Sequence, residues 1–88
     1  MMRYVINLFV RLISKGIVMK ISESKDFGEA LKQRRKELGY TQSYISDVLG
    51  LSVSFISDLE NGKKTAELEK AICYANMLGL DIIIESRG

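Results

Sequence analysis

The side chains able to do directed chemistry crowd into residues 41–64. Thr41 and Gln42 come first, then Ser52, Val53, Ser54, Ser57 and Asp58, then Asn61, Lys63 and Lys64. Apart from the apolar Val53, these are hydroxyls, amides, one carboxylate and two ammonium groups. They donate and accept hydrogen bonds or carry charge, and they form no bond-breaking set. The chain has no His and one cysteine, Cys73. It holds no nucleophile–base pair, no phosphate-binding glycine loop and no cluster of metal ligands. Enzymatic activity, a metal and a cofactor are therefore not expected. Recognition is.

Those residues need stiff elements to hold them. Thr41 and Ser52 are placed to cap one helix start each, and Gly50 and Gly62 to end one each. Helices are predicted over about Gln42–Leu49, burying Ile45 and Leu49, and over about Val53–Asn61, burying Ile56 and Leu59. The turn at Gly50 leaves no room for a long loop, so the two must cross steeply. That is the helix-turn-helix layout, whose second helix lies in the DNA major groove. Before it, the spacing predicts a helix from about Asp26 to Leu38. Asp26 and Glu29 form its capping box, and Phe27, Ala30, Leu31 and Leu38 its buried stripe. After it comes a helix from about Ala66 to Leu78, burying Leu68, Ala71, Ile72, Ala75 and Leu78. Cys73 falls inside this apolar pattern and reads as a small buried hydrophobe. Gly39, Gly50, Gly62 and Gly79 each follow a helical pattern.

Past Gly79 the period changes. Leu80, Ile82 and Ile84 alternate with Asp81, Ile83 and Glu85, which predicts a short strand. A lone strand leaves its ladder groups unpaired. The same strand from a second copy, antiparallel across a two-fold axis, is the expected partner, so Leu80, Ile82, Ile83 and Ile84 are the dimerisation residues. The rival partner is Ile17–Ile21, which also alternates.

With 88 residues the chain is one domain at most. Its net charge of +2 is no nucleic-acid signal in itself; any basic patch must come from local placement. The expected organisation is an N-terminal extension over 1–22, a DNA-binding domain over 23–79, and a dimerisation strand and tail over 80–88. In the extension, Val5, Leu8, Phe9, Leu12 and Ile13 repeat at helical spacing, but the segment is too short and interrupted to span a membrane. Met19 is the expected translation start; an added amphipathic helix is the competing reading.

The pieces RKELGYTQ (residues 35–42), GLS (50–52) and ISDLENGK (56–63) together resemble the Cro/C1-type (Xre) helix-turn-helix family. The resemblance spans about Phe27 to Leu80. It implies an all-α fold with one short C-terminal strand: a lambda-repressor-like bundle of four to five helices, with the strand paired between protomers of a dimer. By position, Gln42 is similar to the family's phosphate-clamping glutamine, and Arg35 and Glu60 match a structural ion pair between the first helix and the end of the third. Ser52, Val53, Ser54, Ser57 and Asp58 match positions that approach base edges; Phe55 reads as a packing residue, with base contact as the alternative. Asn61, Lys63 and Lys64 match phosphate contacts, and Arg34 and Lys36 stand where they can reach the DNA backbone.

The pattern LGLDIIIES (residues 78–86) further resembles the HipB-type antitoxins, although the N-terminal extension is not part of their pattern and little tail follows the strand. That likeness implies a dimeric, sequence-specific repressor in the bacterial cytoplasm, nucleoid-associated when bound to DNA. It would bind a pseudo-palindromic operator ahead of its own operon, together with a HipA-like serine/threonine kinase toxin. The alternatives are a stand-alone Xre-type regulator without a toxin, or a helical interaction module that does not bind DNA.

Overall fold

The computed structural model describes residues 18–88. The readings of residues 1–17 lie outside the described residues. Four helices follow one another: α1 (Ser24–Glu37), α2 (Gln42–Leu49), α3 (Val53–Glu60) and α4 (Leu68–Met77).

The two central starts form as their cap residues dictate. Thr41 Oγ1 accepts from the Tyr44 N–H at 3.0 Å, and Ser52 Oγ accepts from the Phe55 N–H at 3.0 Å. Gly50 ends α2 at φ +69°, a conformation that favours glycine, and its N–H donates to the Ser46 carbonyl at 2.9 Å. The Ser46 hydroxyl donates to the Leu51 carbonyl, so the turn is held from both sides. α1 begins earlier than its pattern predicts. Its N-cap is Glu23, and Asp26 sits in the first turn, with Oδ2 accepting from the N–H groups of Ser22 and Glu23. The acid reaches back to amides that the helix leaves free, and nothing at Ser24 or Lys25 opposes helix.

The core is Leu31, Ile45, Ile56, Leu59, Ala71, Tyr74, Ala75 and Leu78. α3 packs against both α1 and α2. Its crossing with α1 is a backbone contact at Gly28, where an added Cβ would collide with the Leu59 carbonyl oxygen and stand 2.6 Å from that of Glu60.

Three expectations need correction. First, α4 is rotated relative to the predicted stripe. Leu68, Ile72 and Cys73 are exposed and Tyr74 is fully buried, giving the stripe Ala71, Tyr74, Ala75 and Leu78. Apolar residues lie on two adjoining flanks of α4, and the flank whose aromatic ring also finds a polar partner is the one that turns inward. Second, Leu38 is exposed and the buried residue near that end of α1 is Arg35. Third, residues 80–88 carry no strand in the single chain. Leu80 closes a turn after α4, its N–H donating to the Ala75 carbonyl at 3.0 Å, and packs against the core. Ile82, Ile83 and Ile84 are exposed, and residues 18–21 form no strand beside them. A strand is defined by its ladder, and one chain supplies no second rail here.

Candidate nucleic-acid interface

The site is built on α3, and the placement of α3 depends on one carboxylate. Glu60, in the last turn, is 4% exposed. Arg35 of α1 grips it with two donors, Nε to Oε2 at 2.7 Å and Nη2 to Oε1 at 2.9 Å. Gln42, the first residue of α2, donates from Nε2 to Oε1 at 3.1 Å. The Tyr74 hydroxyl of α4 donates to Oε2. Arg35 also donates from Nη1 to the Tyr40 carbonyl at 2.9 Å, which fixes the α1–α2 loop. One side chain thus ties together all four helices, and no described buried side-chain nitrogen or oxygen is left unpartnered.

The charges follow from these contacts. Burial alone would raise the Glu60 carboxyl; the hydrogen bonds from Arg35, Tyr74 and Gln42 together outweigh it and hold the group below its ordinary value. The hydrogen bond to Glu60 raises the Arg35 guanidinium, outweighing the opposing effect of burial. Burial, and then the bond to Glu60, push the Tyr74 hydroxyl up. At neutral pH the network is therefore an ion pair with a neutral phenol. The Arg35–Glu60 pair is placed where the resemblance puts it. Sequence reasoning missed two members: Gln42, read only as a phosphate contact, and Tyr74, whose local signal was an aromatic residue ending in a hydroxyl inside an apolar helix.

Held in this way, α3 turns its leading end outward. Ser52, Val53 and Ser54 are exposed, Ser57 is half-buried, and Asp58 is exposed. The Ser52 oxygen is occupied as a cap acceptor, but its O–H remains a donor. Gln42 likewise spends one N–H on Glu60 and keeps a second at the start of α2. Phe55 packs partly against the core, with Lys70 Nζ 5.8 Å from its ring centre, in keeping with a packing role. Asn61, Lys63 and Lys64 follow in the exposed loop. Lys63 is not a lone cation: its Nζ lies 3.6 Å from Asp58 Oδ2.

Arg34 departs from its expected reach toward a DNA backbone. Its Nε donates to the Leu78 carbonyl at 3.0 Å, at the C-terminal end of α4, where a cation suits the helix dipole. It also pairs with Glu37 at 3.6 Å. Lys36 is exposed. Among the described residues no group of acidic, His or Cys side chains is arranged to hold a metal, and no helix is long and apolar enough to cross a membrane.

A family model described as helix-turn-helix matches residues 31–83, more than half the chain. The chain belongs to the Cro/C1-type helix-turn-helix family. Among relatives in this family is an HTH-type transcriptional regulator of Sinorhizobium fredii, 35% identical over 69 residues, which are 78% of this chain and 91% of the relative. The transcriptional regulator ClgR of Mycobacterium tuberculosis is 33% identical over 63 residues, 69% of this chain and 56% of its own length. This chain spans only 29% of an HTH-type regulator of Archaeoglobus fulgidus, at 38% identity over 66 residues. Two solved structures share the fold: HipB in complex with an O2 20mer, with TM-score 0.74 and 22% identity over 82% of this chain and all of that one, and HipB in a HipA–HipB–O2–O3 complex, with TM-score 0.73 and 24% identity over 81% of this chain and all of that one.

Proposed function

We propose that this family member is a sequence-specific DNA-binding repressor that acts as a homodimer, the antitoxin of a HipA-like serine/threonine kinase operon. The observation that carries the DNA reading is the fixed outward presentation of Ser52, Val53 and Ser54 at the start of a helix anchored through Glu60. In a major groove, serine hydroxyls donate to or accept from base edges, and Val53 meets a thymine methyl. The free N–H of Gln42 and the ammonium groups of Lys63 and Lys64 serve the phosphates on either side.

Dimerisation rests on Ile82, Ile83 and Ile84, which are exposed in the single chain and gain a ladder when antiparallel to a second copy. Two reading helices then stand about 34–36 Å apart, one turn of DNA, on a pseudo-palindromic operator. The antitoxin assignment draws on the fold shared with HipB along that protein's whole chain. A stand-alone regulator is the second reading; it is favoured by the Sinorhizobium relative, whose nearly full length aligns and which is described only as a transcriptional regulator.

The test has three readouts. Light scattering of the full chain should give a dimer. Gel shift with the DNA upstream of its gene should give a discrete complex that weakens with salt. The product of the adjacent gene should co-purify with the chain and carry kinase activity. A monomer that leaves the DNA unshifted refutes the repressor; a DNA-binding dimer with no kinase partner establishes the stand-alone regulator instead.

A further inference from the structure

The outer end of α3 carries an exposed charge pair. Asp58 and Lys63 have side chains 49% and 53% exposed, with Nζ and Oδ2 3.6 Å apart. Their closeness is built into the backbone: the Lys63 N–H donates to the Asp58 carbonyl at 3.0 Å, so the loop after α3 folds the lysine back onto the helix. They line a cleft that also includes Phe55, Glu67 and Lys70. There Lys70 pairs with Glu67 at 3.1 Å. The cleft therefore presents two cations and two anions, and its local charge sums to zero. Asp58 also lies one turn after Ser54, on the face that Ser54 shares with the bases in the DNA-binding reading.

We infer that the Asp58–Lys63 pair is a sequence discriminator: Asp58 withholds Lys63 from the phosphate backbone until a cytosine amino group takes the carboxylate. This rests on the DNA-binding reading and refines it, because Lys63 ceases to be a contact made equally on every sequence. On DNA lacking a suitably placed cytosine, the carboxylate keeps its lysine, and the neutral pair makes no phosphate contact. Where a cytosine N4 amino group lies beneath Asp58, the carboxylate accepts from it. Lys63 then swings to a phosphate and adds one counterion-releasing contact. An exposed pair at this separation is weak enough to exchange. The outcome is a protein with lower affinity for random DNA than its lysine count would give, and a wider gap between right and wrong sites.

The experiment is a fluorescence anisotropy titration of the full chain against two duplexes, at salt concentrations from 50 to 200 mM. One is an alternating dA–dT duplex and the other is the chain's own upstream DNA. Wild type, Asp58→Asn, Lys63→Ala and the double variant are compared. On the dA–dT duplex, Asp58→Asn should bind more tightly and steepen the salt slope by about 0.9, so that lowering salt across that range tightens it about 3.5-fold more than wild type. Lys63→Ala should lower affinity for that duplex by baring the carboxylate while leaving its salt slope at the wild-type value, because the lysine makes no phosphate contact there. It should abolish the steepening by Asp58→Asn when combined with it. On the upstream DNA, Lys63→Ala alone should flatten the slope by about the same amount. A steepening of the slope by Asp58→Asn that persists without Lys63 overturns the inference, because the added phosphate contact would then not be the lysine's. So does Lys63→Ala flattening the slope equally on both duplexes. If wild type binds neither duplex, the DNA-binding reading itself falls, an outcome distinct from the other two.

Discussion

Asp58 and Glu60 are two carboxylates on one helix, two residues apart, and they lead opposite lives. Two residues turn an α-helix through about 200°, so one faces solvent and the other the core. Glu60 is 4% exposed and receives donors from Arg35, Gln42 and Tyr74. Asp58 has a half-exposed side chain and a single lysine at 3.6 Å. A buried carboxylate is tolerated only when donors make good its lost hydration, so Glu60 must be held from several directions, and being so held makes it the joint of the fold. An exposed one contributes little to stability, which leaves it free to be traded in binding. The inner face of α3 fixes where the helix points; the outer face carries the binding chemistry in the proposed reading.

The largest effect should come from breaking the inner side. Glu60→Ala leaves the Arg35 guanidinium buried without its counter-charge and should cost about 3–5 kcal/mol of unfolding free energy in urea titration, a large share of the stability of a domain of this size. A loss below about 1 kcal/mol would place Glu60 with the weak surface pairs and erase its contrast with Asp58.

Tyr74→Phe comes next. It removes one hydrogen bond to a charged acceptor, for about 1.5–3 kcal/mol. The pH profile separates the two partners. Glu60 titrates below its ordinary value in the folded chain, so its contribution is complete above the usual carboxylate range and is lost as pH falls through the depressed folded value. Tyr74 titrates above its ordinary 10.0, so its contribution is complete below that value and is lost as pH rises beyond it. Chemical denaturation across pH should therefore show Glu60→Gln flattening the acid limb and Tyr74→Phe flattening the alkaline one. An alkaline limb unchanged by Tyr74→Phe would remove that hydroxyl from the network.

The same contrast marks what the sequence made legible. Helix starts at Thr41 and Ser52 and the turn at Gly50 were readable because each depends on residues within one turn of itself. The Arg35–Glu60 pair joins positions 25 apart in sequence and came only through family resemblance. Tyr74 was missed because its reason for being buried is Glu60, 14 residues away on another helix. With no sight of that partner, the pattern placed Ala71, Ala75 and Leu78 inside correctly but added Leu68 and Ile72 in place of Tyr74. Gly28 gave no signal either, since its role is an approach to the α3 backbone. The alternating tail could be recognised as strand-like, but one chain holds nothing for it to pair with. In each case the missing information was the far partner.

Ser52→Ala probes where the two faces meet. It removes the cap acceptor for the Phe55 N–H and should cost about 1 kcal/mol in urea titration, between the Glu60 effect and that of an exposed charge. Ser52→Asp keeps the cap while placing a negative charge toward the groove. It should therefore fold about as stably as wild type and bind upstream DNA less tightly. Equal DNA binding by Ser52→Asp would mean that the leading end of α3 does not face the duplex.

The smallest effect on stability is expected from Asp58→Asn. The side chain is half-exposed, its one ion pair is at 3.6 Å, and it contacts no part of the Glu60 network, so its unfolding free energy should stay within about 0.5 kcal/mol of wild type. The absence of a stability change gives any DNA effect a clean interpretation: with the fold intact, altered affinity for the dA–dT duplex reflects surface charge alone. A loss above about 1 kcal/mol would mean that the Asp58–Lys63 pair, with the backbone bond beside it, pins the loop after α3. The two carboxylates would then both be structural, differing in degree, and α3 would lack the division between an anchoring face and a reading face.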